Sequence, residues 1–267
     1  MSGSDLQAQI TAAKAYEEFF VPALFGEWAP RVAAAARIRT GDHVLDVACG
    51  TGVLAREAAS QVGPSGFVAG VDTSPGMLAV ARTVAPRIEW REDKAEALPY
   101  PDQRFDAVVS QFGLMFFSDR RRALTEMQRV LKRGGRLAVA VWASLDSSPA
   151  YAAEVDLLEH MAGRAAADAV RVPFVLGDTN QLTQLVASAG IDKVAVATQH
   201  GMARFPSIRF MVEADLRGWL PLMGVVLTED QINRILQEAE HVLRAHVTAT
   251  GTVACEIAAH LVTGTRS

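Results

Sequence analysis

A glycine-rich turn follows a short apolar run at residues 43–52. Residues 43–49 contain one acid, Asp46, and suit a buried strand. Gly50 and Gly52 let the backbone turn sharply and approach a ligand closely, and a helical pattern follows them. This order of strand, glycine turn and helix is typical of nucleotide-binding α/β folds. A tight turn with a purely structural acid is the alternative interpretation.

Strand and helix patterns then alternate along the chain. Further strands are predicted at 66–72, 88–91, 105–111 and 136–142, and helices at 53–61, 75–84 and 119–131. Gly134 and Gly135 are expected to end the last of these helices. Alternating strands and helices produce parallel strands joined by crossover connections. We therefore predict an α/β fold with a doubly wound, mostly parallel, seven-stranded sheet and an antiparallel last strand.

Two predominantly helical regions flank the core predicted at residues 43–143. Residues 5–37 read as helices interrupted by Pro22, and we expect them to form an N-terminal lid. In the second half, helices are predicted at 150–161, 180–189 and 228–247, and strands at 194–198 and 253–263. Residues 204–249 then form a helical insertion before the last strand, which we expect to act as a lid and substrate pocket. The chain, 1–267, is interpreted as one domain.

Composition narrows the class of protein. Half of the 267 residues are hydrophobic, 21% are charged and the net charge is −4, so the chain can bury a core and has no basic excess for nucleic acid. No stretch is long and apolar enough to span a bilayer, and the N-terminus lacks a secretory-signal pattern, so we expect a cytoplasmic protein. Cys49 and Cys255 lie in apolar runs and are predicted to be small buried residues. No metal-ligand constellation is apparent.

An acid closes the second predicted strand. Asp72 lies 22 residues after Gly50 and can accept hydrogen bonds from both ribose hydroxyls of a nucleoside. Residues 50–55 also match the pattern G-x-G-x-x-G/A, which keeps a dinucleotide-dependent oxidoreductase as a second hypothesis. Asp46 argues against a dinucleotide, because a carboxylate in this turn repels a pyrophosphate but attracts a sulfonium or an amino group.

Five motifs occur in order: LDVACGTG (45–52), VDTSPGML (71–78), AEALPYPD (95–102), FDAV (105–108) and RVLKRGGR (129–136). Together they resemble class I methyltransferases that use S-adenosylmethionine (SAM), in the type 11 branch with the ubiquinone/menaquinone-biosynthesis enzymes. The resemblance covers residues 43–143. It implies a Rossmann-like methyltransferase fold, SAM as cofactor and S-adenosylhomocysteine (SAH) as product.

The resemblance also implies a set of cofactor-binding residues. The set is Asp46, Ala48, Gly50, Thr51, Gly52, Asp72, Thr73, Met77, Asp93, Ala95, Glu96, Gln111 and Phe112. Residues 46–52 and 111–112 would surround the methionine part of SAM, Asp72 would bind the ribose, and the rest would surround the adenine. Lys94 departs from the family, which usually has an acid there to accept from the adenine amino group. Lysine only donates, so Asp93 or the backbone would take that part.

Methyl transfer from a sulfonium depends mainly on alignment and a dry pocket. An oxygen or carbon acceptor usually needs a base, for which the candidates are His160, His200 and Tyr16. The apolar residues between 205 and 227 suit a lid core, a pocket for a hydrophobic or aromatic acceptor, or a homodimer surface. We expect a small-molecule methyltransferase acting on oxygen, nitrogen or carbon. A non-catalytic SAM-fold protein that binds a partner through the insertion is the third hypothesis.

Overall fold

The computed structural model describes residues 3–267. Backbone contacts divide the chain into two compact units. The first contains the residues up to 141, together with 178–199 and 260–267, and the second contains residues 142–177 and 200–259.

Seven strands form one sheet in the order β3-β2-β1-β4-β5-β7-β6. They are β1 (His43–Val47), β2 (Phe67–Asp72), β3 (Glu89–Glu92), β4 (Phe105–Gln111), β5 (Leu131–Trp142), β6 (Asp192–Phe205) and β7 (Val253–Thr265). The pairs from β3 to β5 are parallel. β7 runs antiparallel to β5, since the Gly134 N–H donates to the Arg266 carbonyl and the Arg266 N–H to the Gly135 carbonyl. The predicted fold class is confirmed.

Helices pack around the strands of the first unit. They are α1 (Gly3–Ala15), a π-helical segment (Tyr16–Phe25), α2 (Ala29–Ala35), α3 (Val53–Val62), α4 (Pro75–Val84), α5 (Arg120–Val130) and α8 (Thr179–Ser188). The Ser74 and Asp119 side chains cap α4 and α5 by accepting from backbone N–H groups of the first turn. β1 and β4 are almost wholly buried, as expected for parallel strands covered on both faces.

Pro22 does not interrupt the N-terminal helices, contrary to the sequence prediction. It lies inside the π-helical segment, which continues directly from α1. Proline has no N–H for the α-helical ladder, and a widened turn accommodates this loss. The Gly26 N–H donates to the Val21 carbonyl at 2.6 Å, five residues earlier, which marks the wider turn.

Gly134 and Gly135 lie inside β5, so the prediction that they end the preceding helix was wrong. α5 already stops at Val130, and the pairing of β4 with β5 shifts in register at this point. Gly134 has φ +73°, and a Cβ at Gly135 would lie 2.7 Å from the Lys132 carbonyl oxygen. The pair therefore forms an irregularity at the start of a strand that is longer than predicted.

β6 is also longer than the prediction of 194–198. It is an edge strand with many exposed residues, so its apolar pattern is weak in the sequence.

The second unit is mainly helical. Its helices are α6 (Pro149–Ala162), α7 (Arg164–Arg171), α9 (Ile208–Ala214), a π-helical turn (Asp215–Trp219), α10 (Leu220–Leu222) and α11 (Glu229–Val242). Thr228 and Gln231 form the predicted capping box of α11, which ends at Val242 rather than at 247. The buried stripe of α11 packs in this unit with α6 and α9. α7 was not predicted.

Candidate functional site

The turn after β1 leaves ordinary strand geometry at three positions. Ala48, Gly50 and Gly52 have φ values of +58°, +55° and +91°, and α3 starts directly after Gly52. Position 52 also admits no side chain, because a Cβ there would lie 2.3 Å from Cη2 of Trp90. Both the backbone conformation and the close indole ring therefore require glycine at 52.

Asp72 holds this turn from the end of β2. Its Oδ2 accepts a hydrogen bond from the Gly50 N–H and its Oδ1 one from the Ser74 N–H, each at 2.8 Å. Burial raises the pKa of the Asp72 carboxyl, and these backbone N–H groups counteract the rise. Each oxygen of a carboxylate can accept two hydrogen bonds, so Asp72 keeps capacity for a ligand's hydroxyl groups.

Several buried oxygens of this unit have no hydrogen-bond partner among residues 3–267. They are both carboxyl oxygens of Asp46, Oγ1 of Thr51, Oγ of Ser110, Oε1 of Gln111 and Oε2 of Glu17. Buried polar atoms are rarely left unsatisfied in native proteins, and catalytic or binding sites account for many exceptions. A ligand rich in hydrogen-bond donors would satisfy these oxygens.

The N-terminal segment contributes an aromatic wall to the site. The Gln111 Nε2 group donates to the Phe25 carbonyl at 3.0 Å, and the Tyr16 ring stacks on Phe25 with centroids 5.2 Å apart. Phe25 and Trp28 both contact the ring of Phe112. Phe112 is buried and has φ +56°, a strained value for a phenylalanine that places its ring against this wall.

The turns after β1 and β4 also contact each other. A Cβ on Gly113 would lie 2.5 Å from the Cβ of Ala48. Ala48 is thus held in a left-handed conformation by close packing beside the glycine turn.

Acidic groups dominate the electrostatics of this site. Burial raises the pKa of Asp46 well above its ordinary value, and the charge of Asp72 raises it further. Burial also raises the pKa of the Tyr16 phenol, and the charges of Asp72, Glu17 and Asp46 add to that rise. The site therefore favours a cationic ligand over a pyrophosphate.

The predicted adenine-side residues follow β2 and β3. Thr73 is exposed and Met77 is half-buried in the first turn of α4. The Asp93 N–H donates to the Asp72 carbonyl at 3.1 Å, which brings the end of β3 to the end of β2. Asp93 is half-buried and accepts from the Lys94 N–H.

The two remaining predicted adenine contacts lie in a short 3-10 helix, Ala95–Ala97. Ala95 is buried. Glu96 accepts a hydrogen bond from the Asp119 N–H at 3.2 Å, so its carboxylate is already engaged with the start of α5.

The three candidate bases fall in different places. Tyr16 lies in the site just described. His160 and His200 belong to the second unit and are exposed. Nδ1 of His160 lies 2.7 Å from the Asp156 carbonyl oxygen, and Nδ1 of His200 lies 2.6 Å from Oε1 of Glu256.

Five residues of the site were missed by the sequence interpretation. Two of them, Phe25 and Trp28, contact Phe112 in the aromatic wall. Trp90 packs on the glycine turn, and Glu17 pairs with Arg56 at 2.7 Å. No motif contains these residues, and 39 positions separate the ion pair. Apart from their opposite charges, Glu17 and Arg56 carry no sign of this contact in the sequence.

Comparisons with known proteins fit this geometry. A family model for a methyltransferase domain matches residues 44–135. The ubiquinone/menaquinone biosynthesis C-methyltransferase UbiE of Pseudomonas paraeruginosa is 36% identical over 181 residues, which cover 62% of this chain and 70% of that relative. The chain belongs to the UbiE-type family of SAM-dependent methyltransferases. The recognition made from the five motifs is thus confirmed, and the oxidoreductase and non-catalytic alternatives find no support.

Two further similarities describe the extent of this UbiE-type chain. UbiE of Hahella chejuensis is 46% identical over 108 residues, which cover 38% of the chain and 43% of that relative. The chain therefore spans less than half the length of this curated relative. The fold is shared with the crystal structure of a putative methyltransferase from an antibiotic biosynthesis pathway of Anabaena variabilis. The TM-score is 0.64 at 17% sequence identity, and the match covers 88% of this chain and 96% of that one.

Residues 3–267 contain neither a candidate membrane-spanning helix nor a candidate metal site. None of their helices is both long and apolar enough to cross a membrane. The same residues contain no group of three or more His, Cys, Asp or Glu side chains placed to hold a metal ion.

Proposed function

We propose that this chain transfers the methyl group of SAM to a carbon atom of a small, aromatic, quinone-like acceptor. The observation that carries the proposal is the group of buried, unsatisfied oxygens beside the glycine turn. Asp46, Asp72 and Glu17 place three carboxyl groups in this region. SAM has a sulfonium and an ammonium group, so its two positive charges and its N–H donors match this group.

The residues of the first unit would hold SAM in a defined orientation. The free oxygens of Asp46, Thr51 and Gln111 suit the ammonium end of the methionine part. Asp72 suits the ribose hydroxyls, because its oxygens keep acceptor capacity. Thr73, Met77, Asp93, Ala95 and Glu96 follow the strand ends next to Asp72 and remain the proposed surroundings of the adenine.

The names of the relatives support the acceptor class. Both UbiE proteins are named as C-methyltransferases of ubiquinone and menaquinone biosynthesis. A carbon atom of an aromatic ring becomes nucleophilic when a hydroxyl group on the ring loses its proton. That proton must therefore pass to a basic side chain or to solvent water.

Bound SAM would supply an activated methyl group. The residues of the chain would align that group with the acceptor and keep water out of the site. The rings of Tyr16, Phe25 and Phe112 exclude water from the wall of the site. Since its pKa is raised, Tyr16 stays protonated at neutral pH and would act there as a hydrogen-bond donor rather than as a base. His160 and His200 remain candidates for the base.

The test has two stages. Isothermal titration with SAM, SAH, NAD and NADP should show saturable binding of the first two only. Incubation with methyl-labelled SAM and a panel of dihydroxynaphthalenes, catechols and aryl amines should then give a ring-methylated product, located by NMR. Binding of NAD without SAM would overturn the proposal, and methylation of oxygen or nitrogen alone would overturn its carbon acceptor.

A cytoplasmic location, a homodimer and the absence of nucleic-acid binding remain predictions. Light scattering coupled to size-exclusion chromatography tests the homodimer.

A further inference from the structure

One guanidinium joins the N-terminal segment to the glycine turn. Arg56 lies in the first turn of α3, and its Nη1 donates to the Thr51 carbonyl at 2.8 Å. Its Nη2 donates to Oε1 of Glu17 at 2.7 Å, in the π-helical segment. Both side chains are about three-quarters buried, with exposed fractions of 28% for Arg56 and 23% for Glu17.

This geometry depends on the fork of the arginine side chain. Two different nitrogens reach two acceptors in separate segments of the chain, and one of these acceptors, Glu17, lies 39 residues before Arg56. A lysine presents one compact ammonium group and lacks this planar fork, so it cannot reproduce both contacts in the same way. The pair is charge-assisted and shielded from solvent, unlike the many surface pairs that contribute little.

The residue next to Glu17 is part of the cofactor site. Tyr16 stacks on Phe25, and its phenol lies in the electrostatic field of Asp72 and Asp46. Fixing Glu17 against the glycine turn therefore also fixes the aromatic wall over that site. The second carboxyl oxygen of Glu17, Oε2, is buried and without a partner within residues 3–267, so an added donor group can still bind there.

We propose that Glu17 and Arg56 are positioning residues that latch the N-terminal segment over bound SAM or SAH and so govern its release. The inference rests on the proposed function, since it takes SAM and SAH as the ligands. Breaking the latch should raise the dissociation rate of SAH by roughly tenfold, the effect of losing one shielded, charge-assisted hydrogen bond. Association should change little, because an open segment leaves the glycine turn and Asp72 accessible.

Surface plasmon resonance on the full chain measures both rates with SAH as the probe. The variants are Glu17→Gln, which keeps the shape of the side chain, Arg56→Lys, Arg56→Gln and the double variant Glu17→Gln/Arg56→Gln. Lys132→Gln is the control, because it removes a partly exposed ion pair, with Asp106, that contacts neither the glycine turn nor the aromatic wall. Thermal unfolding of each variant reports purely structural damage.

The latch predicts faster release of SAH in all three single variants and no further increase in the double variant. The association rates and melting temperatures should stay close to those of Lys132→Gln. Once an acceptor is known, KM for SAM should rise while kcat stays constant or increases. Release rates equal to that of Lys132→Gln, or additive effects in the double variant, would overturn the latch. Failure of the unmodified chain to bind SAH would instead overturn the proposed function.

Discussion

The Asp72 carboxylate accepts a 2.8 Å hydrogen bond from the Gly50 N–H, which ties the end of β2 to the turn that follows β1. One side chain therefore shapes the glycine turn, and under the proposed function the same side chain would also bind the ribose.

Removal of the Asp72 carboxylate should weaken both SAM binding and the fold. We expect Asp72→Ala to lower SAM affinity by about 10- to 100-fold and the free energy of unfolding by about 1–3 kcal/mol, because hydrogen bonds to a charged acceptor are lost. Isothermal titration and urea unfolding measure the two effects. Glu92→Gln is the control, since Glu92 pairs in register with Asp72 on β3 but is exposed. Equal affinities of the two variants would contradict the assignment of Asp72.

The raised pKa of Asp46 makes SAM binding depend on pH. Folding keeps this carboxyl protonated above the pH at which it ionises in the unfolded chain, so stability should fall as pH rises from about 4 toward the folded pKa. A bound ammonium group favours the ionised carboxylate. SAM affinity should then rise with pH across that window, by at most about tenfold per pH unit, with release of a proton.

Isothermal titration with SAM in buffers of different protonation enthalpy gives the number of protons released, because each released proton adds the protonation enthalpy of the buffer to the heat of binding. Asp46→Asn should abolish the proton release and reduce the fall of stability with rising pH. Proton release that persists in Asp46→Asn would show that another group is responsible.

A buried pair of acids gives the second unit its own pH dependence. Burial raises the pKa of Asp215 to about 7, and burial and the charge of Asp215 raise the pKa of Glu154 well above its usual range. The folded chain holds more protons than the unfolded chain, so stability should fall as pH rises from the usual carboxyl range through 7. Glu154→Gln should reduce that fall by about 1–2 kcal/mol between roughly pH 6 and 8. Calorimetry over this pH range measures the stability of Glu154→Gln, with Glu238→Gln, a change at an exposed residue, as the control. Equal pH dependence of stability in the two variants would show that Glu154 and Asp215 are not responsible for the fall.

Trp90 should make Gly70 intolerant of any side chain. A Cβ at 70 would lie 2.4 Å from Cζ3 of Trp90 and 2.9 Å from Sγ of Cys49. We expect Gly70→Ala to lower the free energy of unfolding by about 1–3 kcal/mol, the usual cost of overpacking. In the Trp90→Leu background the same change should cost less, as a double-mutant cycle in urea would show. Gly218→Ala, where the added Cβ meets open space, should be nearly neutral.

Local signals made the sheet and much of the candidate site predictable. Residues 46–52 and Asp72 carry their chemistry in a short, ordered pattern, and the strands around them are continuous apolar runs. The ends of elements were less predictable, because Gly134 and Gly135 are equally compatible with a helix end and a bulged strand.

Contacts distant in sequence could not be predicted. Glu17 and Arg56 read individually as solvated charges on helices, and only the packing of the folded chain brings them together. Glu154 likewise reads as an ordinary helix residue, although folding buries it completely. Such pairs depend on tertiary geometry that neither periodicity nor spacing encodes.

The π-helical segment determines how α1 is rotated about the helix axis relative to Phe25. A π turn contains one residue more than an α turn, and each residue of an α-helix advances the chain by about 100° around its axis. Deletion of a single residue between Tyr16 and Phe25 would turn Glu17 and the whole of α1 by roughly that angle relative to Phe25. The number of residues in this stretch, as well as their identity, thus decides which side chains point toward the glycine turn.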